Sequence, residues 1–194
     1  IELQARFDEE ANIYWSNKLQ EEGANVINGV PGIKVHSKLA WIKRKEGSIY
    51  RNYAYIGTGN FHEGTARVYA DDGLMTSDPR LANEVANSFE FFKLNYKHFD
   101  YEHLVISPFK MRKFFTKMIE HEMELARNGE NGYMIVKMNS LIDPEMMKKI
   151  VEAGKAGVRI QLIIRSICGL NIPKELSKNI TALSIVDKFL EHSR

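Results

Sequence analysis

Two triplets hold the residues best suited to chemistry: His36-Ser37-Lys38 and His192-Ser193-Arg194 each set a histidine two positions before a cation. An imidazole can act as a nucleophile when its other nitrogen is held and cations surround the electrophile. On extended backbone, residues two apart share a face. Lys38 is therefore expected on the same strand face as His36, where it would neutralise an oxygen of a phosphate under attack. Alone, a His-x-Lys triplet is also an ordinary strand end.

Gly57-Thr58-Gly59-Asn60 adds a turn whose glycines let backbone approach an anion and whose Thr58 and Asn60 offer donors. The alternative is a plain hairpin exit. Arg67 and Tyr69 follow with a cation and a hydroxyl, Arg6 stands at a strand-to-loop exit, and Arg165 ends an apolar strand. In open α/β sheets ligands gather at the carboxyl ends of strands, and an arginine there is a fork for phosphate or carboxylate. His36, Lys38, Arg67, Arg6, Arg165 and His192 together supply donors and cations but few bases, the profile of a polyanion site. His62, His98, His103 and His121 share no metal-ligand spacing, and no Walker-type loop, GxGxxG or DFG signature occurs.

The elements that must position these groups follow from pattern. Ile1 to Ala5 alternates as a strand, Asp8 suits an N-cap, and a helix runs to about Glu22 with Gly23 at its end. Ala24–Ile27 and Lys34–Arg44 read as strands, the second returning through Lys45–Ser48 into Tyr50–Gly57. Residues 60–70 read as loop and short helix, and Pro79–Tyr96 as a helix with Leu81, Val85, Phe89 and Phe92 on one face. Beyond it come a short strand Leu104–Ile106, a helix Lys110–Asn128 and a strand Tyr133–Met138. A helix opened by Asp143-Pro144-Glu145 follows, then strands Arg159–Arg165 and Ala182–Val186.

Residues 2–27 and 136–161 share one layout: strand, polar loop, Asp at a helix start, helix, Gly, strand. Each leads towards one of the His-Ser-basic triplets, which points to a duplicated α/β unit.

The bulk numbers exclude several classes. The 194 residues carry a formal charge of only +2, so no overall basic field argues for nucleic acid. A single cysteine, Cys168, forbids an intrachain disulfide and favours a reducing compartment. The longest apolar run falls well short of the roughly 20 residues of a membrane span. The chain opens on Ile1, without an initiator methionine, and closes inside a strand-to-turn feature, so it reads as a piece of a longer protein.

The stretches "ELQARFDEEANIYW", "PGIKVHSKL", "YIGTGNFHEGTARVYAD", "GLMTSDPRLANEV" and "SIVDKFLEHSR" resemble, in order and along the whole chain, the C-terminal half of class-1 polyphosphate kinases. The resemblance implies an α/β fold of two phospholipase-D-like units, mixed sheets flanked by helices and related by a pseudo-twofold. Residues 1–100 would form the first unit, partial at its N-terminus, and residues 101–194 the second, partial at its C-terminus. It implies reversible transfer of the ATP terminal phosphate to inorganic polyphosphate, with magnesium, through a phosphohistidine. His36 matches the phosphorylated histidine and His192 a second essential one; Tyr69, Arg165 and His192 match nucleotide-binding positions. Arg6 matches a magnesium-site position; a guanidinium has no lone pair for a metal, so its expected role is to hold a phosphate that carries the ion. Lys38, Asn60 and Arg67 are expected at the phosphates. The G-[S/T]-x-N element of the phospholipase-D pattern is present, whereas Ala40–Lys45 lacks the aspartate that follows its HxK triplet.

The partners implied are ATP or ADP and polyphosphate, without nucleic acid. The parent is expected to be a homo-oligomer, cytoplasmic, with peripheral attachment at the inner membrane face as an option. Two other readings stay open: a phospholipase-D-like phosphodiesterase using the same histidines, and a non-catalytic polyanion-binding module. The 194 residues alone are expected to be inactive.

Overall fold

The computed structural model describes residues 1–3, 9–186 and 190–194. The chain is mixed α/β, with two small sheets flanked by helices, and separates into two compact units: Ile1–Glu63 with Asp72–Leu104, and Gly64–Asp71 with Val105–Arg194.

In the first unit α1 (Glu9–Glu21) begins with two glutamates, where the helix dipole favours negative charge. It ends as Gly23 turns left-handed at φ 85° and Ala24 N–H returns to the Leu19 carbonyl. β1 (Lys38–Glu46) and β2 (Ile49–Gly57) form the expected antiparallel hairpin around Gly47-Ser48; after the one-turn helix α2 (Glu63–Ala66), β3 (Gly73–Thr76) adds an antiparallel edge. α3 (Pro79–Lys93) starts with Pro at its first turn behind Asp78, whose carboxylate accepts the Arg80 N–H. Its Ala82 and Val85 bury against Ala54, with Leu39, Trp41, Ile56 and Phe89 packed around them.

Five expectations for residues 1–106 are corrected. Ala24–Ile27 is not a strand: Ala24 closes the helix, and Ile27 and Gly29 bond Ile1, which is itself outside any strand. Ile1–Leu3 is not a strand, and the rest of that first expected strand, with Arg6 and the Asp8 cap, lies outside the described residues. β1 starts at Lys38, not Lys34, because the Val35 N–H is taken by the Glu2 carboxylate at 2.8 Å instead of a neighbouring strand. Leu104–Ile106 is not a strand either. The buried carboxylate of Glu84 accepts the N–H groups of Glu102, His103 and Leu104 at 2.7, 3.1 and 2.7 Å, so those amides are unavailable to a ladder. α3 also ends three residues before Tyr96, where Leu94 leaves helical geometry.

The second unit holds the larger core. β4 (Tyr133–Met138), β5 (Arg159–Ile164) and β6 (Ile180–Leu183) form a parallel sheet in that order. β6 starts at Ile180, two residues before its expected start, because Ile180 pairs with Ile160 in register. α4 (Met111–Arg127) and α5 (Pro144–Lys155) bury Ile119, Met123, Ile150 and Ala153 against Val158, Ile160, Leu162 and Ile180. Asp143 caps α5 through the Met146 N–H and also accepts from Arg112 on α4. Gly154 permits close approach: a Cβ there would stand 2.6 Å from Ile180 Cδ1. Of the expected repeat, the second copy forms as β4–α5–β5; of the first, only the helix and its closing glycine are seen among the described residues.

Candidate functional site

His36 lies on irregular backbone just before β1, not on a strand, and is exposed. Lys38, the first residue of β1, is buried, and its ammonium donates to the His36 carbonyl at 2.7 Å. It stands 3.0 Å from Nδ1 and 3.1 Å from Nε2 of the same imidazole. The sequence expectation of adjacency holds, by a different route: the lysine folds back on the segment preceding the strand instead of pointing alongside from a common face.

The Gly57–Asn60 turn is tied to β3, with the Thr58 N–H donating to the Asp72 carbonyl at 3.0 Å and Thr58 Oγ1 accepting the Asp72 N–H at 2.9 Å. Its first glycine also has a packing role. A Cβ on Gly57 would lie 2.5 Å from the Tyr55 hydroxyl, and one on Gly73 2.6 Å from the same ring. The glycines thus admit the Tyr55 phenol, which also meets Phe61 at 5.7 Å. Asn60 is exposed beside this turn.

The second unit assembles another group. Its parallel strands end together at Met138, Ile164 and Leu183, and the chain segments leaving those ends surround a cavity of about 200 Å³. Lys137, Arg165, Glu191 and Arg194 line it with Met138, Ile163 and Ile185. Arg165 Nη1 is buried and, alone among the described residues' buried side-chain nitrogens and oxygens, has no hydrogen-bond partner. Lys137 pairs with Glu191. Arg194 is held by neutral acceptors: Nε and Nη2 donate to Asn139 Oδ1 at 3.2 and 2.8 Å, and Nη1 to the Glu191 carbonyl at 2.6 Å. Desolvation and the nearby charge of Arg165 pull the Arg194 guanidinium below its ordinary value.

The segment 64–71 brings Tyr69 and Asp71 to His192. The Ala70 N–H bonds the Leu190 carbonyl at 2.8 Å, forming a bridge to Glu191. Tyr69 stacks on the His192 ring with centroids 4.0 Å apart and planes 6° apart. His192 Nδ1 lies 2.8 Å from the Asp71 carboxylate, which fixes the tautomer by accepting its proton. Ring orientation is thus set by a stack on one face and a carboxylate at one edge, the arrangement in which a histidine moves a proton or meets an anion through Nε2.

Residues 1–98 match the family model described as Polyphosphate kinase C-terminal domain 1, and residues 104–194 match Polyphosphate kinase C-terminal domain 2. The chain belongs to the polyphosphate kinase family. It is 46% identical to the polyphosphate kinase of Vibrio parahaemolyticus and 43% identical to that of Escherichia coli strain K12, each over 196 aligned residues. All of this chain is covered in both comparisons, but it spans only 28% of the length of either relative. A crystal structure of polyphosphate kinase from Porphyromonas gingivalis superposes with a TM-score of 0.84 at 37% identity, covering all of this chain and 32% of that one.

Of the residues singled out in the sequence, Tyr69 and His192 are in contact, and Arg165 lines the cavity beside Arg194. Arg67 is exposed on the same segment as Tyr69, while His36, Lys38 and Asn60 belong to the other unit. Arg6 lies outside the described residues. Sequence reasoning passed over Asp71, Lys137 and Glu191, and used Arg194 only as part of its triplet. Lys137 had a signal like that of Arg165, a lone charge in the apolar run "YMIVKM". Asp71, two residues after Tyr69, had none, because its histidine is 121 positions away.

The donor set does not fit a resident magnesium ion. Among the described residues cations dominate the cavity, the Glu191 carboxylate is engaged by Lys137, and no three His, Cys, Asp or Glu side chains form a metal-holding group. Among the described residues no helix is long and apolar enough to cross a membrane.

Proposed function

We propose that this chain supplies the phosphoryl-transfer centre of a polyphosphate kinase that moves the ATP terminal phosphate reversibly onto inorganic polyphosphate, with residues 1–100 and 101–194 as phospholipase-D-like domains. The observation that carries the reading is the cation-lined cavity at the strand ends, with an orphaned Arg165 nitrogen and an oriented His192 beside the polypeptide that leads into it. Phosphoryl transfer needs mainly positioning and electrostatic stabilisation, which this inventory offers.

In the proposed step a His36 ring nitrogen attacks the γ-phosphorus, the bond to the bridging oxygen breaks, and ADP leaves with that electron pair. Lys38, seated against both ring nitrogens, takes an incoming phosphate oxygen in this scheme. A terminal phosphate oxygen of polyphosphate then attacks phosphohistidine and frees His36. Arg67, Arg165 and Asn60 hold phosphate oxygens, Tyr69 stacks with His192, and His192 exchanges a proton. Magnesium enters this scheme as the partner of the nucleotide phosphates, and Arg6 as a phosphate holder. A homo-oligomeric, cytoplasmic parent with peripheral membrane attachment remains part of the same proposal.

The test is to incubate the full-length protein with γ-labelled ATP and analyse the protein for acid-labile, base-stable label. Label is expected in wild type and lost in His36→Ala; undiminished label in that variant would overturn the assignment. Alcohol release from a diester without ATP would instead favour a phosphodiesterase, and tight polyphosphate binding without turnover a non-catalytic module.

A further inference from the structure

The first sheet sorts its residues by face. Leu39, Trp41, Ala54 and Ile56 pack on one face with Ala82 and Val85 of α3. Alternation puts the residues between them on the other face, where cross-strand partners lie side by side. Lys38, Gly57 and Gly73 form one row of that face, paired in register across all three strands. It is the end row of the sheet, two residues along the chain from His36. Two of its three members have no side chain, and the ring of Tyr55 fills the gap. A Cβ on Gly57 would stand 2.5 Å from the Tyr55 hydroxyl, and one on Gly73 3.0 Å from that oxygen and 2.6 Å from the ring. The ring can lie there only because both positions are glycine. Phe61, just past the turn, meets it at 5.7 Å. The hydroxyl thus lies over Gly57, whose partner on the neighbouring strand, about 4.8 Å away, is Lys38. Lys38 is buried and stands 3.0 and 3.1 Å from the two ring nitrogens of His36. Among the described residues the Tyr55 hydroxyl has no hydrogen-bond partner. Covering two glycines needs only a ring, whereas a phenol at that point also offers a donor.

We propose that Tyr55 is a further catalytic residue of the His36 centre, its O–H donating to a non-bridging oxygen of the phosphoryl group that His36 takes up, one strand across from Lys38. The proposal rests on the reading of His36 as the phosphorylated residue. Lys38 supplies charge, and Tyr55 supplies direction through a neutral donor whose ring is fixed by packing. The hydrogen bond is charge-assisted because its acceptor is anionic. A donor already in place when substrate arrives stabilises developing charge without reorganising. Tyr55 gives up no proton in the step: the His36 nitrogen still forms the bond to phosphorus, and ADP still leaves with the electron pair of the bond that breaks.

The test uses the full-length protein in two assays: the rate at which γ-labelled ATP labels the protein, and calorimetric titration with tripolyphosphate, which needs no turnover. Tyr55→Phe keeps the ring and its Phe61 contact and removes only the hydroxyl. It is expected to slow labelling on the order of 10- to 100-fold with no change in melting temperature. Labelling at the wild-type rate would overturn the proposal. A loss of rate that follows a fall in melting temperature would also overturn it and leave Tyr55 a structural part. Gly73→Ala crowds the ring from the side away from Gly57. It is expected to slow labelling by a similar factor in wild type and by much less in Tyr55→Phe; equal effects in both backgrounds would overturn the part given to the glycine pair. A wild type that takes no label would remove the phosphohistidine reading, and the titration would then decide alone. Tripolyphosphate binding weakened several-fold in Tyr55→Phe would leave a phosphate donor at Tyr55, and unchanged binding would remove it.

Discussion

With Nδ1 of His192 engaged by Asp71 at 2.8 Å, any proton this histidine exchanges passes through Nε2. Asp71→Asn offers an amide where a carboxylate stood and permits the wrong tautomer. Under the proposed function, polyphosphate synthesis by the full-length protein is expected to fall on the order of 100-fold in kcat, with KM for ATP little changed and the pH profile altered. A proportional loss of both folded protein and activity, with an unaltered pH profile, would reduce Asp71 to a structural role. Tyr69 separates into two functions in the same assay. If its ring is what matters, Tyr69→Phe keeps the 4.0 Å stack, worth about 0.5–1.5 kcal/mol, and Tyr69→Leu does not. At this scale the histidine-cation pairs and the lone Arg165 could be read in the sequence, because proximity along the chain or an odd charge in an apolar strand announces them. Asp71 and Glu191 could not, because long-range closure of the chain gives each its role.

Glu84 shows how one side chain decides whether a segment becomes a strand. Burial pushes its carboxyl up, but three backbone N–H groups and the His103 ring outweigh that and hold it below its ordinary value. A depressed carboxylate contributes stability in full above its unfolded pKa, near 4.3, and loses it as pH falls through the folded value. The melting-temperature gap between wild type and Glu84→Gln should therefore be wide at pH 7 and begin to close as pH falls below about 4.3. Glu84→Ala, which takes the shared acceptor from three part-buried amides, is expected to cost about 1–3 kcal/mol in denaturant unfolding. In the second unit, Gly154→Val would press on Ile180 and should destabilise by about 1–3 kcal/mol, while Gly154 itself looks like a poor helix residue until β6 is known to lie against it. Helix starts were legible because Asp-Pro at α3 and α5 encodes a local cap. The short strands were less so: β3 is four residues, formed because Gly73 fits beneath the Tyr55 ring.

At the level of the whole molecule the cores differ in size. The second unit buries side chains from α4, α5, β5 and β6 in one cluster, whereas the first rests on Ala54, Ala82 and Val85 with partly buried neighbours. Native-state hydrogen exchange should find the slowest amides at Ile160 and Leu162 in β5, with the β1–β2 hairpin opening at lower free energy. Equal protection in both sheets would contradict this. More than two thirds of each relative's length has no counterpart in the 194 residues, and the chain alone is expected to make no polyphosphate in an assay where the full-length protein does. The α/β class could be read from alternating patterns, but the grouping of residues 64–71 with a unit otherwise starting at Val105 could not, since nothing in local composition marks where a chain crosses between units. That crossing bears on recombination within the family. A chimera that exchanges only residues 105–194 inherits the donor's His192 but keeps the recipient's ring and carboxylate around it. The piece that can be inherited as a working module is discontinuous: residues 64–71 must travel with the second half.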